Sequence, residues 1–150
     1  MRIADVLHHR DHVVHKIRTT DTVTTAVRKL SEHRIGALVV TDSWGRHVGI
    51  LSERDLIHGL DRFGTMTPEL PIGELMRQDL ITCQLKDRVH KALELMTIHR
   101  IRHLPVKENG TIVGIVSIGD LVSALIGDKE LEVEAGTAAA LDASAENAPP

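Results

Sequence analysis

Two aromatic residues, Trp44 and Phe63, are all that this chain of 150 residues contains, and tyrosine is absent. Its core must therefore be built from Val, Ile, Leu, Ala and Met, and a planar ligand would lie between aliphatic side chains with no ring to stack on. Cysteine is represented only by Cys83, which excludes an intrachain disulfide. No apolar run is long enough to span a bilayer, and Met1-Arg2-Ile3-Ala4-Asp5 lacks a signal-peptide pattern, so a soluble protein of a reducing cytoplasm is expected. Strong charge of one sign is missing too. The formal net charge is -3, and the stretch from Asp128 to Pro150 holds six acids against the single base Lys129, which leaves the preceding chain at +2. That balance argues against a nucleic-acid surface, although an isolated basic groove would not show in the sum.

What the chain does have, it has twice. Gly49-Ile50-Leu51-Ser52-Glu53-Arg54-Asp55-Leu56 returns as Gly114-Ile115-Val116-Ser117-Ile118-Gly119-Asp120-Leu121. Upstream, Ala26-Val27-Arg28-Lys29-Leu30 aligns with Ala92-Leu93-Glu94-Leu95-Met96, and His33-Arg34-Ile35 with His99-Arg100-Ile101. The chain is thus a duplicated supersecondary unit. One copy, about 60 residues, buries too little surface to be comfortable alone, so the two halves are expected to share one core.

Each copy reads as strand, helix, strand, strand, helix. In the first, Val23, Ala26, Val27 and Leu30 fall at helical spacing behind a capping Asp21 or Thr22. The run 35–40 reads as a buried strand, Asp42 to Arg46 as a turn with Gly45 at a left-handed position, 47–51 as the returning strand and 53–60 as a helix. The second copy repeats this with Val89, Ala92, Leu93 and Met96, then strands over 102–106 and 112–116 around the hairpin signal Asn109-Gly110. A lead-in helix of about two turns is expected before each copy, at Ile3 to Leu7 and Ile72 to Met76. The domain reading is 1–63 for the first repeat with its lead-in helix, 64–71 for a linker containing Pro68 and Pro71, 72–127 for the second repeat, and 128–150 for an acidic, Ala-rich tail expected to be disordered.

The chemistry concentrates where a strand ends as Gly, two apolar residues and Ser, and a helix begins. Ser52 and Ser117 stand at that turn, where backbone N–H groups and a hydroxyl can meet a phosphate. Asp55 and Asp120 follow three residues later, where a carboxylate can accept hydrogen bonds from a cis-diol, as in dinucleotide-binding folds. Gly49 and Gly114, lacking Cβ, would let a ligand lie close to the strand. Ser-x-x-Asp before an apolar run is also a capping box, and that reading stands beside the ligand one.

The motif Gly-apolar-apolar-Ser-x-x-Asp closing each unit, with a basic pair before Leu104-Pro105-Val106, resembles tandem cystathionine-β-synthase (CBS) repeats over about Ile3 to Leu125. The resemblance implies an α+β fold of two β-α-β-β-α repeats about a pseudo-twofold axis, known as a CBS pair or Bateman module. It further implies clefts between the repeats that hold AMP, ADP, ATP, NAD or S-adenosylmethionine as a regulatory ligand. Carried over, Asp55 with Ser52 and Asp120 with Ser117 would bind ribose and phosphate, and Arg102 and His103 would contact phosphate. The first copy has Gly36 and Ala37 at those last two positions, so Arg54 is the candidate for its phosphate contact, and the two clefts should differ in affinity or ligand. A homodimer is implied as well, with Leu56, Ile57, Leu60, Leu121, Val122, Leu125 and Ile126 as candidate surface, although the same residues also read as intrachain core and both can hold for different faces. An unidentified effector protein would be regulated in trans.

The remaining features are weaker. His8, His9, His12 and His15 invite a metal hypothesis, but no Cys or second His cluster completes a site. Cys83 reads as a buried small hydrophobe on the first strand of the second copy. No nucleophile-base arrangement is evident, so the chain is read as a non-enzyme. The alternatives to a nucleotide sensor are a CBS-fold scaffold that binds no nucleotide and a nucleic-acid-binding CBS protein.

Overall fold

The computed structural model describes residues 1–8 and 13–127. The expected tail, and His9 and His12 of the His8–His15 cluster, lie outside the described residues. Both copies form the expected order. The first is β1 (Lys16–Arg18), α2 (Val23–His33), β2 (Ala37–Thr41), β3 (His47–Ser52) and α3 (Glu53–Phe63), preceded by α1 (Ile3–His8). The second is β4 (Cys83–Gln84), α4 (Val89–His99), β5 (His103–Glu108), β6 (Thr111–Ser117) and α5, helical over residues 118–127. Each copy contributes a three-stranded sheet in which the first strand runs parallel to the second and the second pairs antiparallel with the third.

Local chemistry accounts for the boundaries. Thr22 caps α2, its hydroxyl accepting from Thr25 N–H at 3.3 Å. Both α2 and α4 stop at an arginine in the left-handed region, Arg34 (φ 53) and Arg100 (φ 54). The first hairpin turns through Gly45 (φ 76), with Asp42 Oδ1 accepting from the N–H of Trp44 and of Arg46. The second turns through Asn109 (φ 51) and Gly110 (φ 77), the two positive φ values that a twisted two-residue hairpin loop needs.

Two parts of the chain depart from expectation. The segment expected as a linker is a 3-10 helix, Gly64–Glu69, fastened to α3 because buried Thr67 donates its hydroxyl proton toward the carbonyls of Gly59 and Gly64. The second lead-in is only a 3-10 turn, Ile72–Glu74, rather than a two-turn α-helix, since residues 76–77 leave to bridge β3 at Ile50.

The lead-ins are also exchanged. Ile3, Val6 and Leu7 of α1 enter the core of the second repeat, with Val89, Ala92, Met96, Leu104, Val116 and Leu121. Ile72 enters the core of the first, with Ile17, Ala26, Leu30, Leu38, Leu51 and Leu56. Backbone bonds fix both crossings: Ile3 N–H to Asp87 O (2.9 Å) and Ala4 N–H to Leu85 O (2.9 Å) on one side, Ile72 N–H to Asp21 O (2.8 Å) and Gly73 N–H to Thr19 O (2.9 Å) on the other. Ile3 and Ile72 are fully buried, each worth about 1.5–3 kcal/mol. Each repeat is completed by the segment that precedes the other.

Candidate functional site

The two motifs are first of all helix caps. Asp55 Oδ2 accepts from Ser52 N–H (2.8 Å) and from Ser52 Oγ (3.0 Å). In the second copy Asp120 Oδ2 accepts from Ser117 N–H (2.8 Å), and Ser117 Oγ accepts from Asp120 N–H (3.1 Å), a reciprocal capping box. Capping and ligand binding are compatible, because the cap sets each carboxylate at the mouth of a strand-to-helix turn. What separates the copies is what lies in front of it.

Two clefts open between the repeats. The larger, about 540 Å³, is lined by Gly114, Ser117 and Asp120 of the second motif, facing Ile35, Gly36 and Ala37 of the first copy. Val13, Val14 and His15 form a further wall, with His33 and Arg34 at its edge, and the rings of His15 and His33 stack at 3.9 Å. The smaller, about 210 Å³, is lined by Ser52, Glu53 and Arg54 of the first motif together with Arg77, Arg100 and Arg102.

His103 lines both clefts. A Cβ at residue 36 would come within 2.7 Å of its Nε2, so glycine at 36 is what lets the imidazole sit between the repeats. Burial pushes the His103 pKa below its ordinary value; nearby Glu53 and Asp120 oppose this, and Arg102 adds to it. The net shift favours the neutral imidazole.

Of the positions singled out in the sequence, Gly114, Ser117, Asp120 and His103 come together in the larger cleft, and Ser52, Arg54, Arg102 and His103 in the smaller. Gly49 and Asp55 line neither. Asp55 is buried, with Arg77 Nε 3.5 Å from its Oδ1. A Cβ on Gly49 would meet Arg77 O at 2.7 Å and Met76 Sδ at 2.9 Å, so the bare strand accommodates this chain's own residues 76–77. At Gly114 the corresponding contacts are the terminal methyls of Leu7, at 3.2 Å.

The arrangement also divides the basic residues in a way the sequence did not suggest. Arg102 faces the first motif, beside Arg54, while Gly36 and Ala37 face the second. Arg77 and Arg100 went unremarked as site residues, since neither lies within a motif; Arg100 stands directly beside the basic pair and was the available signal.

Elsewhere, Cys83 is buried on β4 and its thiol is pushed up to about 12, chiefly by burial and then by Asp87, which makes it a poor nucleophile. Among the described residues no group of three or more His, Cys, Asp or Glu could hold a metal ion, and no helix is long and apolar enough to cross a membrane. Of the helix residues open to both a dimer-surface and a core reading, Leu56 and Leu121 are core residues, each packed in the core of its own repeat.

Residues 3–62 and 72–127 each match the CBS domain. The chain belongs to the CBS domain family. This CBS pair is 36% identical over 120 residues to the mitochondrial CBS domain-containing protein CBSX3 of Arabidopsis thaliana, an alignment covering 77% of this chain and 58% of the plant protein. The crystal structure of a CBS-domain containing protein from Agrobacterium tumefaciens superposes with a TM-score of 0.79 at 35% identity, covering 82% of this chain and 92% of that one. A second structure, the CBS domain pair of protein MJ0100 in complex with 5'-methylthioadenosine and S-adenosyl-L-methionine, has a TM-score of 0.74 at 25% identity, covering 86% and 98%. Adenosine compounds thus bind at least one CBS pair of similar fold.

Proposed function

We propose that this CBS pair is a regulatory module that binds an adenosine ligand in its larger cleft and acts in trans on a partner protein. The observation that carries the reading is the inequality of the motifs: Asp120, Ser117 and Gly114 line an open cleft, whereas Asp55 is buried behind Arg77. The lining suits the ligand's parts. Val13, Val14, Ile35 and Ala37 offer aliphatic surface to a planar base, Asp120 offers a carboxylate to a ribose diol, and Arg34 offers a cation to a charged tail. Binding rather than catalysis fits Ser117 and Asp120, because each is engaged in the other's cap. Ligand-dependent change in how the repeats meet would be the signal, since the cleft walls come from both.

Self-association belongs to the same reading. On α3, Ile57 and Leu60 are 64% and 56% exposed, and on α5 Val122 and Ile126 are 42% and 53% exposed, so the equivalent helices of both repeats present apolar side chains to solvent.

The test is thermal unfolding with AMP, ADP, ATP, NAD, S-adenosylmethionine and methylthioadenosine, on the natural chain and on Asp55→Ala and Asp120→Ala variants. A ligand at ~100 times its Kd adds about 2.7 kcal/mol, a rise of roughly 5–10 °C for this size. One compound should raise the midpoint in the natural chain and in Asp55→Ala but not in Asp120→Ala. No shift with any compound, or a shift that survives Asp120→Ala, would overturn the assignment.

A further inference from the structure

We propose that the smaller cleft is a separate site for a compact oligoanion, of the pyrophosphate or tripolyphosphate class, recognised without a nucleoside. Four arginines, Arg54, Arg77, Arg100 and Arg102, line a cavity of about 210 Å³ whose lining includes one acidic residue, Glu53. Counting Asp55, which pairs with Arg77 behind the wall, four positive charges still face two negative ones. Among the described residues neither Arg100 nor Arg102 has a carboxylate within ion-pair distance. Like charges gathered around one concave site repel one another unless an anion sits among them.

The placement of these side chains is built rather than incidental. Arg54 Nη1 donates to the carbonyl of Arg100 at the C-terminus of α4 (3.2 Å), which orients the guanidinium across the cleft and uses one of its five donors. Arg77 is held by the ion pair to Asp55 and by the two backbone bonds its residue exchanges with Ile50 (3.0 and 2.9 Å). The first turn of α3 opens at the same place, adding the positive end of an eleven-residue helix. Planar forks of this kind match phosphate oxygens in pairs, so a ligand with adjacent phosphates can engage several at once.

The same features exclude the nucleoside. Asp55 does not reach the cleft wall to receive a ribose, and residues 76–77 occupy the space over Gly49. The larger cleft differs: Gly36 lines it at the repeat-equivalent position of Arg102, Gly119 replaces Arg54 within the second motif, and among the described residues Arg34 is the one arginine of its lining. The two sites therefore differ in the chemical class they select, and this assignment does not depend on adenosine binding in the larger cleft.

Isothermal titration calorimetry on the full chain decides it, with tripolyphosphate, pyrophosphate and orthophosphate as titrants at two ionic strengths. Tripolyphosphate should bind once per chain, at least about tenfold more tightly than orthophosphate, and more weakly as salt rises. Arg102→Gln and Arg54→Gln should each weaken it by about tenfold or more; among the described residues the exposed Arg102 side chain makes no hydrogen bond or ion pair, so its replacement should leave folding intact even if Arg54→Gln perturbs the α4 terminus. Asp120→Ala should leave the affinity unchanged. ATP titrated into Asp120→Ala separates two sources of the same chemistry: Arg102-dependent binding there assigns a nucleotide's phosphate tail as an acceptable ligand, and no binding assigns free oligophosphate. Equal weak binding of all three anions, indifference to both arginine variants, or loss of binding in Asp120→Ala would each overturn the proposal.

Discussion

Gly49 and Gly114 occupy equivalent places in the two motifs, yet adding a methyl group to each should have different consequences. At residue 49 the new Cβ would stand 2.7 Å from Arg77 O, a backbone atom that also accepts the Ile50 N–H. It cannot yield without breaking the Ile50–Arg77 bridge and its two hydrogen bonds. Overpacking of this kind costs about 1–3 kcal/mol, and each lost backbone bond about 0.5–1.5 kcal/mol. Gly49→Ala should therefore lose about 3 kcal/mol, a fall of roughly 10 °C in Tm. At residue 114 the same group meets only the terminal methyls of Leu7 at 3.2 Å, which can rotate away. A strand glycine replaced by alanine also restricts the unfolded chain, worth about 0.4–1 kcal/mol in the opposite sense, so Gly114→Ala should melt within a few degrees of the natural protein. Its effect should appear instead in ligand affinity, because Gly114 is on the wall of the larger cleft. Paired melting curves and one ligand titration suffice. Equal losses of stability, or a larger loss at residue 114, would refute the claim that one glycine accommodates the chain and the other the cleft.

Two further expectations concern acid and self-association. The pKa values of His15, His47 and His103 all lie below their ordinary value, chiefly through burial. The unfolded chain then binds more protons below about pH 6.5, so stability is complete above that pH and declines as pH falls through the folded-state values. Urea midpoints at pH 7.5, 6.0 and 5.0 should fall in that order, less steeply in His103→Gln; a rising or level series would contradict the burial of these rings. Separately, Ile57→Glu and Val122→Glu alter exposed apolar side chains, so each should leave Tm nearly unchanged while lowering the mass seen in sedimentation. An unchanged mass in both removes these helices from any interface.

The strand-helix-strand-strand-helix order was legible because duplication supplied each signal twice. Apolar spacing at Val23, Ala26 and Leu30 was echoed at Val89, Ala92 and Met96, and the left-handed turn at Gly45 by Asn109-Gly110. Lead-in exchange was not legible, since a short apolar segment such as Ile3 to Leu7 fits either core equally well and local pattern carries no address. The same limit applied to the clefts. Ser52 and Asp55 are identical in type and spacing to Ser117 and Asp120, and it is the packing of residues 76–77 onto β3 that buries Asp55 beside Arg77. Reading Arg102 beside the motif of its own copy failed for a related reason: the pairing of Glu53 N–H with Gly36 O and of Ile118 N–H with Arg102 O keeps each motif next to its own strand, while the side chains of the residues that follow α2 and α4 project across to the other repeat.

The exchanged lead-ins bear on how such a chain can be divided. A cut between residues 64 and 71 would separate the two copies neatly in sequence but would leave Ile72 on one fragment and the core it fills on the other, with Ile3 stranded in the opposite sense. Neither fragment would be a small CBS protein; each would be half of a lock whose key has gone with its neighbour. Mixed together, the two would have the crossed contacts of Ile3 and Ile72 to recover, and the link itself is part of the fold, since buried Thr67 fastens it to α3.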